Sequence, residues 1–285
     1  GSEMCIRDSI YSGNRYSCRM ELSMANVLAH LSSILIPAVI FFIIGYGWIH
    51  KCNLYDDFIN GAADGLKTVV GIVFQTDPDR IGQAEKDALA VQGATAPRGL
   101  VMAVKNAATN MEWGPYGTDE GLTKCETKAQ NYSDISGYGN CERIRASHGD
   151  LSNYPAFRAA DDYNTVCAVA GVTTGWYLPA SGQWWDLLQN LGGCAMLADP
   201  EQQTSSDSGD FYWSGQGDIP AALNRWMEAI AADSKDPFAD YNWFWSSSEL
   251  SGYDARCWNV YSDGYVDCYW YSKYIYLDVR PVLAF

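Results

Sequence analysis

The side chains best suited to chemistry lie close to the C-terminus, and the chemistry they suit is non-covalent binding. The stretch CWNVYSDGYVDCYWYSKYIYLDVRP, residues 257–281, interleaves tyrosines with Asp, Asn, Ser and Cys. Tyrosine offers a large, rigid contact with few rotatable bonds, while Ser, Asn and Asp offer adaptable hydrogen bonds. This mixture is typical of a surface that recognises another molecule.

A β-strand must position these side chains, because successive strand residues point to opposite faces of a sheet. One set is apolar and is predicted to form a core face: Val266, Cys268, Trp270, Ile275, Leu277 and Val279. The other set is predicted to face solvent: Tyr265, Asp267, Tyr269, Tyr271, Tyr274, Tyr276 and Asp278. Asp263-Gly264 lies between alternating segments and predicts a tight hairpin turn, since this pair accepts positive backbone angles.

Three C-terminal motifs carry a family resemblance: FWSSSE (244–249), WNVYSDGYV (258–266) and the final VRPVLAF. Together they resemble the C-terminus of the variable proteins of diversity-generating retroelements, which have a C-type lectin fold. VGIVF, GLVMAVKNA and WYLPASGQWWDLL occur earlier in that family's order, so the resemblance extends over residues 71–285. It implies a ligand-binding receptor or adhesion protein with a hypervariable, tyrosine-rich surface.

In that family a reverse transcriptase copies a template with errors at adenines, so AAC or AAT codons become many residues. Such codons reach Tyr, Asp, Asn, Ser, Cys, Leu and Arg, but never Trp or Lys. Trp258, Trp270 and Lys273 are therefore predicted to be scaffold. The resemblance implies a ligand-binding set comprising Leu250, Ser251, Tyr253, Asp254, Arg256, Tyr261, Tyr265, Asp267, Tyr269, Tyr271, Tyr274, Tyr276 and Asp278. The expected partner is a protein or another macromolecular surface, with no cofactor.

The N-terminal part differs in character. GSEMCIRDS, residues 1–9, resembles the translation of a sequencing-library adapter, so these residues are interpreted as an artefact. An apolar run begins at Val27 and ends at Ile49, and as a helix it would span roughly 34 Å, enough for a bilayer core of about 30 Å. Residues 24–72 resemble the opening of spore maturation protein B, of the nucleoside-recognition gate group of membrane proteins. Whether residues 1–70 share a gene with the rest stays open.

Charge and cysteine usage bear on other function classes. The net charge of -15 argues against nucleic-acid binding, which needs Lys and Arg to neutralise phosphates. The nine cysteines form no C-x-x-C pair and predict neither a zinc site nor a disulfide framework. Formylglycine-generating oxidases resemble this family but need paired reactive cysteines. Cys257 and Cys268 could approach each other in neighbouring strands, but Cys268 is predicted to point to the core, so an enzyme is the weaker alternative.

The predicted fold class is α+β, a C-type-lectin-like domain with a C-terminal antiparallel hairpin sheet and two packed helices, preceded by one transmembrane helix. The first helix starts after a Ser181 N-cap, and the second spans residues 220–233 with Trp226 in its core-facing stripe. Residues 112–162 are interpreted as loops around one short helix, and residues 201–218 as an exposed loop.

The domain boundaries follow: residues 1–9 the adapter artefact, 10–70 the membrane helix with an amphipathic follow-on, and 71–285 the variable binding domain. We expect the chain to be membrane-anchored and its binding domain to lie at a cell or phage surface. Two alternatives stay open: a membrane-anchored surface adhesin with a fixed ligand, and, for the N-terminal part, a fragment of a nucleoside-recognition gate protein.

Overall fold

Two β-sheets organise residues 69–285, the part of the chain that the structure, a computed structural model, describes. The smaller sheet has the strand order β1-β2-β9, and the larger has the order β3-β8-β5-β6-β7-β4. The strands are β1 Gly71–Gln75, β2 Leu100–Ala103, β3 Ala108–Met111, β4 Phe211–Trp213, β5 Asn242–Glu249, β6 Asp254–Val260, β7 Val266–Ser272, β8 Leu277–Val279 and β9 Val282–Ala284. The predicted strands in GIVFQ and GLVMAVKNA are confirmed as β1 and β2.

The centre of the larger sheet is an antiparallel meander of β5, β6 and β7. The predicted hairpin is confirmed: Val260 pairs with Val266, and Gly264 in the connecting turn has a φ of +93°. That angle lies in the left-handed region, where glycine has no steric penalty. After β7 the chain crosses to the far side of β5, where β8 pairs with it in parallel. The C-terminal stretch therefore supplies three strands of this sheet.

Seven α-helices pack around the sheets within the described residues. They are α1 Gln83–Val91, α2 Lys128–Ser133, α3 Gly137–His148, α4 Pro155–Val166, α5 Ser181–Asn190, α6 Pro200–Thr204 and α7 Ile219–Arg225. Helix α5 lies in the core, where Trp184 packs on Phe244 with ring centroids 5.1 Å apart. Trp185 contacts Trp213 and Trp258 edge-on. Such offset and edge-on ring pairs are preferred by the ring quadrupoles, so the aromatic core has a defined geometry.

The prediction of mainly loops over residues 112–162 is wrong, because this region holds α2, α3 and α4. Helix α2 begins with a capping box in which Thr127 and Gln130 exchange hydrogen bonds. The sequence of α3, GYGNCERIRASH, has little hydrophobic periodicity. Most helical stability in proteins comes from tertiary packing, so a helix with weak amphipathic contrast escapes pattern analysis.

Three smaller predictions also differ from the structure. The segment 201–218 contains the end of α6 and the strand β4, which pairs with β7 and is too short for its alternation to be visible. Helix α5 begins at Ser181 but has Ala180 as its N-cap residue. Helix α7 ends at Arg225, so the indole of Trp226 is 54% exposed and not in the core.

The predicted fold class is wrong. In place of one terminal hairpin sheet with two packed helices, the described chain is a mixed α+β structure with two sheets and seven α-helices. None of the helices between residues 69 and 285 is long and apolar enough to cross a membrane. The run from Val27 to Ile49 lies outside the described residues.

Candidate ligand-binding surface

The register of β5, β6 and β7 separates the two faces of the larger sheet. Phe244 pairs with Trp258, which pairs in turn with Cys268, and these three side chains are fully buried against the helices. The opposite face carries Trp243, Asn259 and Asp267 in the next cross-strand row. We call the aromatic and acidic residues of this opposite face and its adjoining turns the tyrosine face: Tyr241, Trp243, Tyr261, Tyr265, Asp267, Tyr269 and Tyr271.

Trp243 is the centre of the tyrosine face. Its ring centroid lies 5.1 Å from that of Tyr271, 5.8 Å from that of Tyr269 and 6.1 Å from that of Tyr241. All three contacts are edge-on. A half-buried Trp that packs on the core therefore contacts two tyrosines of β7 and the tyrosine that precedes β5.

The aromatic series continues across the β6–β7 turn. Tyr241 contacts Tyr261 at 5.4 Å between centroids, and Tyr261 contacts Tyr265 at 6.3 Å. The Tyr261 hydroxyl donates a hydrogen bond of 2.7 Å to Asp267 Oδ2. Burial raises the pKa of the Asp267 carboxyl, and burial together with the bond to Asp267 raises the pKa of Tyr261. The face thus combines broad apolar rings with a partly desolvated carboxylate.

A second aromatic group, here named the edge cluster, comprises Tyr116, Tyr253 and Tyr274. The Tyr116 ring lies 5.0 Å from Tyr253 and 5.1 Å from Tyr274, and each of the three is at least half exposed. Within residues 69–285 no ring contact joins the edge cluster to the tyrosine face. Tyr276 is also exposed, and its pKa is raised by a hydrogen bond with Glu112.

A buried ion pair holds the loops that carry the edge cluster. Lys273 Nζ donates to Glu249 Oε1 at 2.6 Å and to the carbonyl of Thr118 at 2.7 Å, and both charged side chains are fully buried. Glu249 also accepts from the backbone N–H of Glu120 and from Lys124. The backbone N–H of Lys273 also donates to the carbonyl of Tyr253, so the pair joins the chain segments beside the edge cluster. Removing one member of such a pair would leave an uncompensated buried charge. Lys273 is accordingly a framework residue.

Arg256 does not belong to the exposed surface, in contrast to its place in the predicted ligand-binding set. It is fully buried and its guanidinium donates to the carbonyls of Cys125, Gly209 and Glu126 at 2.6, 2.8 and 3.1 Å. The reason is strand alternation, since Arg256 shares a face with Trp258 and pairs with Trp270.

The remaining members of the predicted set are half-buried and bonded within the fold. Asp254 accepts hydrogen bonds from the hydroxyls of Ser251 and Ser272, and its carbonyl accepts from the N–H groups of Leu250 and Ser251. These contacts shape the β5–β6 turn. Asp278 accepts from Asn242 at 2.9 Å and from the N–H of Asn110, which joins β8 to its neighbours.

Four aromatic residues of these surfaces were not in the predicted set. Tyr241 directly precedes β5 and Trp243 is its second residue, and the alternation of Trp243 with the buried Phe244 was a usable signal. Tyr212 is 73% exposed in β4 and pairs with Asp267, which extends the tyrosine face by one strand. Tyr116 lies in a loop, where no local pattern indicates its contacts with Tyr253 and Tyr274.

The two tryptophans predicted to be scaffold differ in burial. Trp258 is fully buried as predicted, whereas Trp270 is only half-buried, because it lies opposite Arg256 near the end of β7 and stacks on Tyr269. Cys257 and Cys268 lie on opposite faces of the sheet. Burial raises the pKa of Cys257 and raises that of Cys268 to about 11.

A surface cavity lies away from the tyrosine face, and the described residues hold no candidate metal site. Within the described part of the chain no group of three or more His, Cys, Asp or Glu side chains could hold a metal ion. A surface cavity of about 620 Å³ is lined by residues that include Gly193, Asp218, Arg225 and Trp226. It shares no residue with the tyrosine face, which spreads over adjacent strands.

No family model matches the chain, and no curated protein matches it. A solved structure of a fimbrial protein from Bacteroides ovatus ATCC 8483 is similar at 16% identity with a TM-score of 0.46. The match covers 77% of this chain and 44% of that protein, so the chain spans less than half its length.

Proposed function

We propose that residues 71–285 form a binding domain whose tyrosine face recognises a protein partner. The observation that carries this proposal is the unbroken series of ring contacts from Tyr265 through Trp243 to Tyr271 on one face of the sheet. Tyrosine and tryptophan are enriched at energetically dominant interface positions. A set of aromatic rings spread over adjacent strands suits the broad contact area of a macromolecular partner.

The tyrosine face is further proposed to be a diversified surface. The resemblance of the terminal motifs to retroelement variable proteins supports this, and so does the division of residue types. Tyr261, Tyr265, Asp267, Tyr269 and Tyr271 are all reachable from AAC or AAT codons. The unreachable Trp258 and Lys273 are buried framework residues. Variation at the first group would change the ligand while the second group preserves the fold.

Capture on the immobilised chain tests the proposal. The double variant Tyr269→Ala/Tyr271→Ala removes two rings that contact Trp243, and we expect it to retain less than about a tenth of the captured partner, since interface energy concentrates in a few aromatic anchors. The matched control is Trp226→Ala, which removes an exposed aromatic ring at the separate cavity. It should capture as much partner as the unaltered chain.

The melting temperature of each variant separates binding from folding. Both tyrosines are partly exposed, so the double variant should melt within a few degrees of the unaltered chain. Undiminished capture by the double variant would remove the tyrosine face from the binding site. Loss of the folded state would instead assign the two rings a structural role.

The neighbouring DNA tests the diversification separately. We expect a near-copy of the segment encoding residues 250–278, with adenines at the codons of the exposed tyrosines and aspartates, beside a reverse transcriptase gene. A locus with neither feature would show that the sequence of the binding surface is fixed.

A further inference from the structure

The tyrosine face carries an unbalanced negative charge. The segments that build it and its turns, residues 205–218 and 239–272, contain eight acidic residues and a single base, Arg256. Arg256 is buried on the opposite face of the sheet, where its guanidinium donates to three backbone carbonyls. These two segments therefore direct no Lys or Arg side chain to the surface of the tyrosine face.

Two carboxyl groups lie beside the rings of the outer strands. Asp267 of β7 pairs with Tyr212 of β4. Asp210 directly precedes β4 and, by the same register, lies beside Tyr269. Burial raises the pKa of Tyr269, and the nearby carboxylates of Asp210 and Asp267 raise it further, in agreement with this placement. Because Asp210 and Tyr212 are exposed, acidic groups and rings reach the same surface.

These carboxyl groups have no cationic partner in the part of the chain that the structure describes. Neither Asp210 nor Asp267 forms an ion pair there, and the same holds for Asp240 and Asp263 in the adjoining turns. Burial raises the pKa of Asp210, against the opposing charge of Arg256, and burial also raises the pKa of Asp267. A cation brought to this surface would stabilise both carboxylates.

We infer that the partner of the tyrosine face presents arginine side chains, which pair with the carboxylates of Asp210 and Asp267 and stack on the adjacent tyrosine rings. This inference rests on the proposed function and deepens it by naming the chemistry of the partner.

The combination of rings and carboxylates favours arginine over other side chains. A guanidinium is planar and weakly hydrated, stacks on aromatic faces and forms two parallel hydrogen bonds with one carboxylate. A lysine ammonium is a strongly hydrated point charge, so it gains less from both contacts. An acidic segment would meet like charges, and an apolar segment would bury Asp267 further without a compensating charge.

Fluorescence anisotropy of labelled peptides, titrated with the full chain, tests the inference. The probes are Gly-Arg-Gly-Arg-Gly, Gly-Lys-Gly-Lys-Gly and a version of the first with citrulline, which resembles arginine in shape but is uncharged. We expect the arginine peptide to bind at least about tenfold more tightly than the citrulline peptide and about threefold more tightly than the lysine peptide. Equal affinity for arginine and citrulline would exclude a charged ligand, and equal affinity for arginine and lysine would exclude the guanidinium; either result overturns the inference.

A pair of charge-matched variants locates the binding. Asp210→Asn/Asp267→Asn removes two charges with little change of shape, and we expect it to bind the arginine peptide at least about tenfold more weakly. The control Asp79→Asn/Asp87→Asn removes the same charge from exposed residues of α1 and the short 3₁₀ turn before it, and should bind within about twofold of the unaltered chain. Equal losses in the two variants would show attraction to the net charge of the chain alone.

The single variant Asp210→Asn keeps the test decisive if the double variant melts at a lower temperature. Asp210 is exposed and its side chain accepts no hydrogen bond within residues 69–285, so this change should leave the melting temperature unaltered while it weakens binding of the arginine peptide about threefold. Unchanged affinity in this variant would contradict the pairing.

The capture assay separates this inference from the proposed function. If Tyr269→Ala/Tyr271→Ala loses the partner while Asp210→Asn/Asp267→Asn captures it normally, the arginine contact is wrong and the proposed function stands. If the tyrosine variant captures normally, the proposed function is wrong and the inference falls with it.

Discussion

At the scale of single residues, two tryptophans on the same face of adjacent strands have different surroundings. Trp258 is fully buried among Trp185 and Trp213, and its Nε1 donates to Ser181 Oγ at 3.0 Å. Trp270, one pair further along β7, lies near the strand end and remains half-exposed. The same residue type therefore makes unequal contributions to the free energy of unfolding.

Replacement of each tryptophan by Ala measures this difference. We expect Trp258→Ala to lower the free energy of unfolding by about 3–5 kcal/mol, because it leaves a large cavity and removes the hydrogen bond to Ser181 Oγ. Trp270→Ala should lower it by only about 1–2 kcal/mol, since less apolar area is withdrawn from water. Urea denaturation of the two variants provides the measurement. Equal losses would contradict the different burial of the two side chains.

At the scale of elements, one buried carboxyl joins three helices. Glu85 of α1 is fully buried, and its Oε1 accepts from the N–H of Tyr138 in α3 and from Gln183 Nε2 in α5. Burial raises the pKa of Glu85 from 4.5 to about 7. The hydrogen bonds to its oxygens oppose the shift but do not outweigh desolvation.

This pKa shift makes the stability of the helix junction depend on pH. Between about pH 4.5 and 7 the folded state holds a proton that the unfolded state has released, so stability falls as pH rises through this window and is level above it. The folded protein loses roughly 3 kcal/mol from this one group. We expect the free energy of unfolding of Glu85→Gln to increase, relative to that of the unaltered chain, by about that amount from pH 5 to 8.

Chemical denaturation at several pH values gives that difference. A carboxyl NMR titration of Glu85 in the folded chain is the direct control, because it reports the protonation itself. Parallel stability profiles of variant and unaltered chain would show that Glu85 keeps an ordinary pKa.

At the scale of the whole molecule, residues 69–285 form one unit of tertiary contacts. The core cluster extends from Phe74 in β1 to Ala284 in β9, so the two ends of this unit are tied into the same sheet and core. Strand β2 pairs with both β1 and β9, so the first and last strands of residues 69–285 belong to one sheet.

We therefore expect residues 69–285 to fold without the preceding segment. The fragment should show one cooperative thermal transition at the same temperature as the full chain. Differential scanning calorimetry of both provides the comparison. A fragment that is molten, and that recovers cooperativity only with residues 1–68 attached, would contradict the expected boundary.

The sequence by itself determined the local features of this protein. Period-two alternation identified the faces of β7, the apolar runs identified β1 and β2, and the Asp263-Gly264 pair identified the β6–β7 turn. These features depend on the conformational preferences of a few residues that are adjacent along the chain.

Only the tertiary structure decided the features that need distant residues to meet. Tyr116 joins Tyr253 across more than a hundred positions, Arg256 is buried by carbonyls from two other segments, and α3 is helical despite its weak amphipathic pattern. The physical reason is common to all three: burial and hydrogen-bond satisfaction depend on what the rest of the fold places around a side chain, not on its neighbours along the chain.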